Sequence, residues 1–239
     1  VTALRVAAVS HPGLVRGEHQ DRVVVDGWMS AVPGARVSLD VEVTTATVVA
    51  VVDGMGGHRG GALAAATAAP LLAAGLPAAR EAGAAQKILE SVADAVAETG
   101  ARAGAPDMGA TAAVVVVGPD DVQVVNVGDC RVYRAAAGML TQLTSDDRAE
   151  RAGRIVVTQY LGGPPKVLDP HHVEVEHGSR RVTYLLCSDG LTDVVDKDTL
   201  RAVLNAGGEP ADTVEALLER VLSGGAPDNV SIVVARVDP

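Results

Sequence analysis

From Thr111 to Cys187 the chain makes six short runs rich in β-branched and apolar residues: Thr111–Val117, Val122–Val127, Arg131–Ala135, Ile155–Tyr160, His172–Glu176 and Val182–Cys187. Gly, Pro and Asp punctuate them, and no amphipathic helical pattern separates one run from the next. Parallel strands need a crossover of a dozen or more residues, usually a helix. The spacing therefore predicts antiparallel meanders and excludes repeated βαβ units. Similar runs occur earlier, at Val6–Val9, Val23–Val25 and Thr47–Val52, and a last one closes the chain at Asn229–Val237.

Helices fall in pairs between these groups. Ala62–Leu76 and Arg80–Ala101 form the first pair; in the second helix Ile88, Val92 and Val96 make one stripe while Lys87, Glu90, Asp94 and Glu98 stay outside it. Asp198–Asn205 and Asp212–Leu222 form the other pair, the latter opening on Asp212 and Glu215 in capping-box spacing. Strand groups flanked by helix pairs predict an α+β fold: a four-layer α-β-β-α sandwich of two central, mainly antiparallel sheets. No repeat or linker divides residues 1–239, so one domain is expected.

Composition narrows the function. Hydrophobic residues are 48% of the 239, yet there is no Phe, one Trp and three Tyr. Val, Leu and Ala must fill the core, and stacking platforms for single-stranded nucleic acid are missing. A net charge of −10 argues further against a phosphate-backbone binder. Cys130 and Cys187 make no metal pair or disulfide framework, and Cys187, inside an apolar run, reads as a small buried hydrophobe. Val1–Val15 carries Arg5 and lacks the apolar stretch of a secretory signal. Ala62–Ala79 is uncharged but mostly Ala and interrupted by Pro70 and Pro77, which predicts a core helix rather than a membrane span. A soluble, cytoplasmic protein is expected.

The chemistry lies at the ends of strands. Asp53 ends Val48–Val52 and begins a glycine-rich loop; Asp129 follows Val124–Gly128; Asp189 ends Leu185–Ser188; Asp228 immediately precedes the last strand. A single Asp-Gly is an ordinary turn, as Asp26-Gly27 illustrates. Four such acids on one rim would repel one another unless cations sat among them, and hard Mg²⁺ or Mn²⁺ ions take oxygen ligands. His171-His172 lack zinc-ligand spacing and look exposed. The loop after Asp53 has Arg59 where a dinucleotide fingerprint needs a third Gly, and no P-loop, nucleophilic serine elbow or Cys/His pair occurs.

In order along the chain stand Arg16-Gly-Glu-His-Gln20-Asp21, Asp53-Gly-Met-Gly-Gly-His58, Gly109-Ala-Thr111, Gly128-Asp129-Cys-Arg131, Leu143-Thr-Ser-Asp146, Ser188-Asp189-Gly190-Leu191-Thr-Asp193 and Pro227-Asp228-Asn229. The ordered set resembles the bacterial PP2C (PPM) family of metal-dependent serine/threonine protein phosphatases. The resemblance implies hydrolysis of phosphoserine and phosphothreonine in proteins by a hydroxide bridging two Mn²⁺ or Mg²⁺ ions, opposing bacterial Ser/Thr kinases. By position, Asp53 resembles the carboxylate bridging both ions, with the Gly54 carbonyl on one of them. Asp189 and Asp228 match ligands of the other, and Asp129 with Asp189 the holders of a weaker third ion. Arg16 matches the phosphate clamp and His58 the general acid. Asp21, with Gln20 and Asn229, stands one step out from the metals.

There are departures from the family pattern. Its usual Arg-x-x-Asn-Glu-Asp here carries His19 and Gln20; Gln20 loses a charge, and His19 is expected to make a local turn contact. Asp147 stands where many bacterial members have His. The flap that borders the substrate groove reads as shortened to a compact charged remnant, Asp147–Ile155. Two other functions are consistent with the fold: a catalytically silent binding or regulatory module, which intact metal acids argue against, and a phosphatase dedicated to one regulatory phosphoprotein. Phosphorylated proteins, and a kinase or its substrates, are the expected partners, with no nucleic acid and no membrane span.

Overall fold

The computed structural model describes residues 2–55, 58–79, 82–164, 167–178 and 180–239, without the side chains of His58, Arg59 and Ala82. The first part of the chain gives β1 (Ala3–His11), β2 (Asp21–Val25), β3 (Trp28–Met29), β4 (Ala35–Glu42), β5 (Thr47–Met55), α1 (His58–Gly75) and α2 (Ala82–Ala103). The middle gives β6 (Gly109–Val117), β7 (Asp121–Val127), β8 (Arg131–Ala136), β9 (Met139–Gln142), β10 (Arg148–Arg151), β11 (Arg154–Val157) and β12 (Leu161–Gly162). The last part gives β13 (His171–Glu176), β14 (Val182–Cys187), α3 (Asp189–Thr192), α4 (Lys197–Asn205), α5 (Pro210–Ser223) and β15 (Val230–Asp238).

Two large sheets result, and every strand pair described is antiparallel. One runs β4-β1-β15-β14-β8-β9; the other runs β13-β7-β6-β5-β2-β3, with β12 also on β6. Three apolar layers hold the stack together. Val23, Val51, Val115 and Val124 of one sheet meet Val6, Val132, Leu186 and Val233 of the other. Ala64, Ala68, Leu72, Leu89, Val92 and Val96 of α1 and α2 cover the outer face of the β5–β6 sheet. Leu191, Leu200, Val214, Leu217 and Val221 of α3, α4 and α5 cover the other sheet. The expected α-β-β-α layering is what the chain forms, and its strands are dominated by valine because β-branched side chains pack well on a pleated surface.

Details depart from the sequence reading for physical reasons. Gly60–Ala78 is long and apolar enough to cross a membrane by length and composition. Here its small residues let it lie close against β5, with Ala64, Ala65, Ala68 and Ala69 fully buried. Pro70 is accommodated inside α1 because it lies on the exposed face, beside the equally exposed Ala66, where a carbonyl deprived of its helical donor can be solvated. The α5 helix starts at Pro210 rather than Asp212, with Glu209 before it, so the capping-box reading fails; Glu215 reaches Arg36 instead, at 2.7 Å. Ile155–Tyr160 joins neither large sheet. Its first residues belong to β11, which pairs with β10 in a separate hairpin closed by Ala152 (φ 51) and Gly153 (φ 74), both in the left-handed region that a two-residue turn requires. Asp26 and Gly27 do the same between β2 and β3, a turn without chemistry.

The alanine-lined contact of α1 makes a sharp test of close packing. Ala68→Leu should destabilise the protein by about 1–3 kcal/mol, because the added volume has nowhere to go. Chemical denaturation measures it; an unchanged midpoint would mean the helix has room to lift from the sheet.

Candidate active site

The strand ends deliver their acids to one rim. Asp21 on β2 lies opposite Asp53 on β5, which lies opposite Thr111 on β6, so three neighbouring strands end side by side. Asp129 sits in the β7–β8 turn, which Gly128 makes at φ 97 with its backbone close against Thr111. Asp189 opens α3 directly after β14, and Asp228 directly precedes Asn229 and β15. A cavity of about 590 Å³ lies between the two sheets' ends, lined by Asp53, Gly54, Thr111, Asp129, Asp189, Asp228, Asn229, Arg16, Gln20 and Val157, among others. Gly54 is a steric requirement: a Cβ there would lie 2.0 Å from the Gly61 carbonyl oxygen.

The acids strain one another electrostatically. Burial pushes Asp53 well above the usual carboxylate range, and the charges of Asp21, Asp189, Asp129 and Asp228 push it further. Burial, then Asp129 and Asp193, lift Asp189 to about 7, and burial lifts Asp21 to about 6. Two arginines offset part of this. Arg16 Nη2 donates to Asp228 Oδ2 at 2.6 Å at the exposed mouth. Arg148 of β10 donates from Nε to Asp129 Oδ2 at 2.7 Å and from Nη2 to Asp189 Oδ2 at 3.2 Å.

Around the acids stands a scaffold of buried polar side chains. Ser188 Oγ donates to Asp21 Oδ2 at 2.9 Å, joining the end of β14 to β2 across the two sheets. Asp21 Oδ1 is buried without a hydrogen-bond partner among the described residues. Ser231 N donates to Ser188 Oγ at 3.0 Å, and Ser231 Oγ lies 2.9 Å from Ser10 Oγ. His19 Nε2 is 2.8 Å from that Ser10 hydroxyl, so His19, in the loop between β1 and β2, reaches back to β1 rather than making a local turn contact. Burial first, then the charge of Arg22, lowers its pKa to about 4 and keeps the ring neutral. Asn229 straps the Arg16 loop down: its Nδ2 donates to the carbonyls of Pro12 (2.8 Å) and Glu18 (2.9 Å), and its Oδ1 accepts from Gln20 N (2.8 Å). Arg131 forks onto Asp146 with Nη2–Oδ2 at 2.6 Å, a structural clamp between β8 and the segment before the hairpin.

Asp147 takes on its own role. Its Oδ2 accepts from Gly128 N at 2.8 Å, and its Oδ1 accepts from Gln159 Nε2 at 2.8 Å and lies 3.2 Å from His171 Nε2. His171 and His172 are therefore half-buried rather than exposed. The cysteines offer no alternative chemistry. Burial, then Asp53 and Asp129, pushes the Cys130 thiol well up, and burial pushes Cys187 to about 12.

Arg16, Asp21, Gln20, Asp53, Gly54, Asp129, Asp189, Asp228 and Asn229 thus converge as the sequence reading expected, while the His58 side chain lies outside the described residues. Arg148, Ser10 and Ser231 had not been singled out; Asp147 had been noted only as a departure from the family pattern and Ser188 only within a motif. Among the described residues, no three acid, histidine or cysteine side chains form a group that would hold an ion by themselves.

The model of protein phosphatase 2C matches residues 36–223. This chain belongs to the protein phosphatase 2C family. It is 33% identical over 251 aligned residues to the serine/threonine protein phosphatase PstP of Mycobacterium tuberculosis, covering 98% of this chain and 45% of that protein. The chain thus spans under half the length of that relative. The PstP catalytic domain in complex with 2 manganese ions superposes at TM-score 0.80 and 29% identity, over 100% of both chains. PppA, a key regulatory component of T6SS in Pseudomonas aeruginosa, superposes at TM-score 0.79 and 27% identity, over 99% of this chain and 100% of that one. A PP2C site with these acids fits divalent cations, since a buried carboxylate cluster this crowded carries protons unless cations replace them.

That competition sets the pH dependence. A carboxyl whose folded pKa is raised binds extra protons when folded, so stability is lost as pH climbs from its unfolded value, 3.8, to the folded one, about 7 for Asp189. His19 acts in the opposite sense, but only between about 4 and 6.5, and is neutral above that. From about pH 6.5 to 8, metal-free protein should therefore lose thermal stability, and Mn²⁺ should raise Tm more at the upper end. Melting in chelator and in Mn²⁺ checks it; a flat chelated profile would mean the acids do not share a low-dielectric cluster.

Proposed function

We propose that this chain removes phosphate from phosphoserine and phosphothreonine in proteins, using two Mn²⁺ or Mg²⁺ ions, in opposition to Ser/Thr kinases. The carrying observation is one cavity lined by Asp53, Asp189 and Asp228 with Arg16 at its mouth. When bound, the ion pair supplies positive charge to the phosphate and a water made nucleophilic near neutral pH. Asp53 and the Gly54 carbonyl would hold one ion, and Asp53, Asp189 and Asp228 the other. Intact acids on that cavity are why a silent binding module is not favoured.

The chain's own side chains do the rest. Arg16 would turn from Asp228 to the phosphate, where a forked guanidinium matches two oxygens at once. Asn229 keeps the Arg16 loop in reach by fixing Pro12, Glu18 and Gln20. Asp21, fixed by Ser188 through one oxygen, stands opposite Asp53 on the neighbouring strand with its other oxygen unpaired among the described residues. His58 at the start of α1 would protonate the departing Ser or Thr oxygen, a contribution of roughly 10²–10⁴-fold. No covalent phosphoenzyme is required.

Asp53→Asn should abolish phosphate release from a phosphothreonine peptide while the fold survives, and calorimetry should show weakened Mn²⁺ binding. Full activity in that variant would overturn the assignment. His58→Gln should slow phosphothreonine or phenyl phosphate strongly and spare p-nitrophenyl phosphate, whose leaving group departs without a proton. Equal losses on both substrates would remove His58 from the acid role.

A further inference from the structure

The β10–β11 hairpin forms its own two-stranded sheet, apart from the two large ones, and its tip, residues 150–155, is exposed. An isolated hairpin is marginal in water, so its position depends on what holds its base. Asp147 holds the first strand's start to the turn that carries Asp129: Asp147 N donates to Gly128 O at 3.0 Å, while Asp147 Oδ2 accepts from Gly128 N. Thr158 N closes the other side on Asp147 O at 2.7 Å. The next residue is Arg148. Its three guanidinium nitrogens face three carboxylates: Nε to Asp129 at 2.7 Å, Nη2 to Asp189 at 3.2 Å and Nη1 to Asp193 at 3.9 Å.

We infer that Arg148 is the chain's own cation for the Asp129–Asp189 pair, and that a divalent ion gains this pair only by lifting the hairpin. Asp129 is 6% exposed, and a carboxylate so buried needs a positive partner. Arg148 supplies it from the hairpin, so hairpin docking and occupancy of the acid pair by an ion exclude each other. Arg148 Nε and Nη2 occupy Asp129 Oδ2 and Asp189 Oδ2, so an ion that bridges the pair through those oxygens must displace the guanidinium. Val157 of β11 lines the cavity, so the docked hairpin also forms one wall of the groove beside the phosphate. Arg148 is then a positioning residue that sets both the number of ions held and the shape of that wall. The inference rests on the phosphatase reading only in treating Asp129 and Asp189 as metal-binding.

The test is calorimetric titration of Mn²⁺ into the metal-free chain, wild type and Arg148→Gln, with hydrogen exchange of residues 148–157 read alongside. Wild type should show two tighter ions and one weak one. Arg148→Gln should tighten the weak ion by about tenfold or more, a small part of what a desolvated charge pair is worth. Arg148→Lys, which keeps a charge but not the fork, should fall between them. Hairpin exchange in wild type should rise with Mn²⁺ only in the range where the weak ion binds, and in Arg148→Gln it should be fast throughout. Unchanged weak-ion affinity in Arg148→Gln, with the two tight ions intact, overturns the role of Arg148 alone. Absence of tight ions in wild type overturns the proposed function instead. Exchange in metal-free protein then decides for Arg148: faster in the glutamine variant supports it, equal rates overturn it.

Discussion

Like charges brought together in a dry place govern this molecule. Asp21, Asp53, Asp129, Asp189 and Asp228 come from separate segments, and the charges of the other four raise the cost of ionising Asp53. A fold that only maximised burial of valine would keep them apart. Here three layers of apolar packing hold the sheets firmly enough that the strand ends, and the acids on them, cannot spread. Stability from the core is what permits an unstable rim. Protons, arginines and divalent ions are alternative ways of relieving the same repulsion, which is why pH, Arg148 and metal act on one another.

The polar scaffold shows how the rim is kept in register. One sheet supplies Asp21 and Asp53, the other supplies Ser10, Ser188 and Ser231 beside Asp189 and Asp228. The Ser188–Asp21 hydrogen bond is a direct tie between them at the level of the acids. Asn229 extends the tie to the loop carrying Arg16 by filling three backbone positions with one amide side chain. Hydroxyls and amides suit this task because they are satisfied without adding charge to a crowded site.

Much of this was legible in the amino-acid order. The apolar stripe of α2 and the valine runs of β5, β6, β7 and β14 carry strong periodic or continuous signals because they are buried on one or both faces. The acids at their ends were legible for the same reason, since a charge that terminates a buried run stands out. Edge elements were harder. In β4 the residues alternate half-buried and exposed along Ala35–Glu42, so Val37, Leu39 and Val41 never form a run, though their period of two was there to be read. The polar strands β9 and β10 carry no such signal. Arg148 was invisible because nothing local distinguishes an arginine on a hairpin from a solvated one. Ser10, Ser188 and Ser231 look like interruptions in apolar runs until the two sheets are stacked.

The order of strands in the β1-containing sheet has a consequence for how the chain acquires its site. The strand β15 lies between β1 and β14, so Ala3 pairs with Asp238 and Ser10 with Ser231. The middle of the sheet is thus filled by a strand whose pairing with β1 encloses every other element described. Such non-local pairing must first meet the entropy of closing a loop that spans all of them. Until it does, β1 and β14 present open edges, and Asp228 and Asn229 have no strand to anchor them. More local pairings, such as β6 with β7 and α4 with α5, close far shorter loops, while Asp228 stays apart from Asp53 until β15 docks. The acid rim is assembled only when that strand takes its place between β1 and β14.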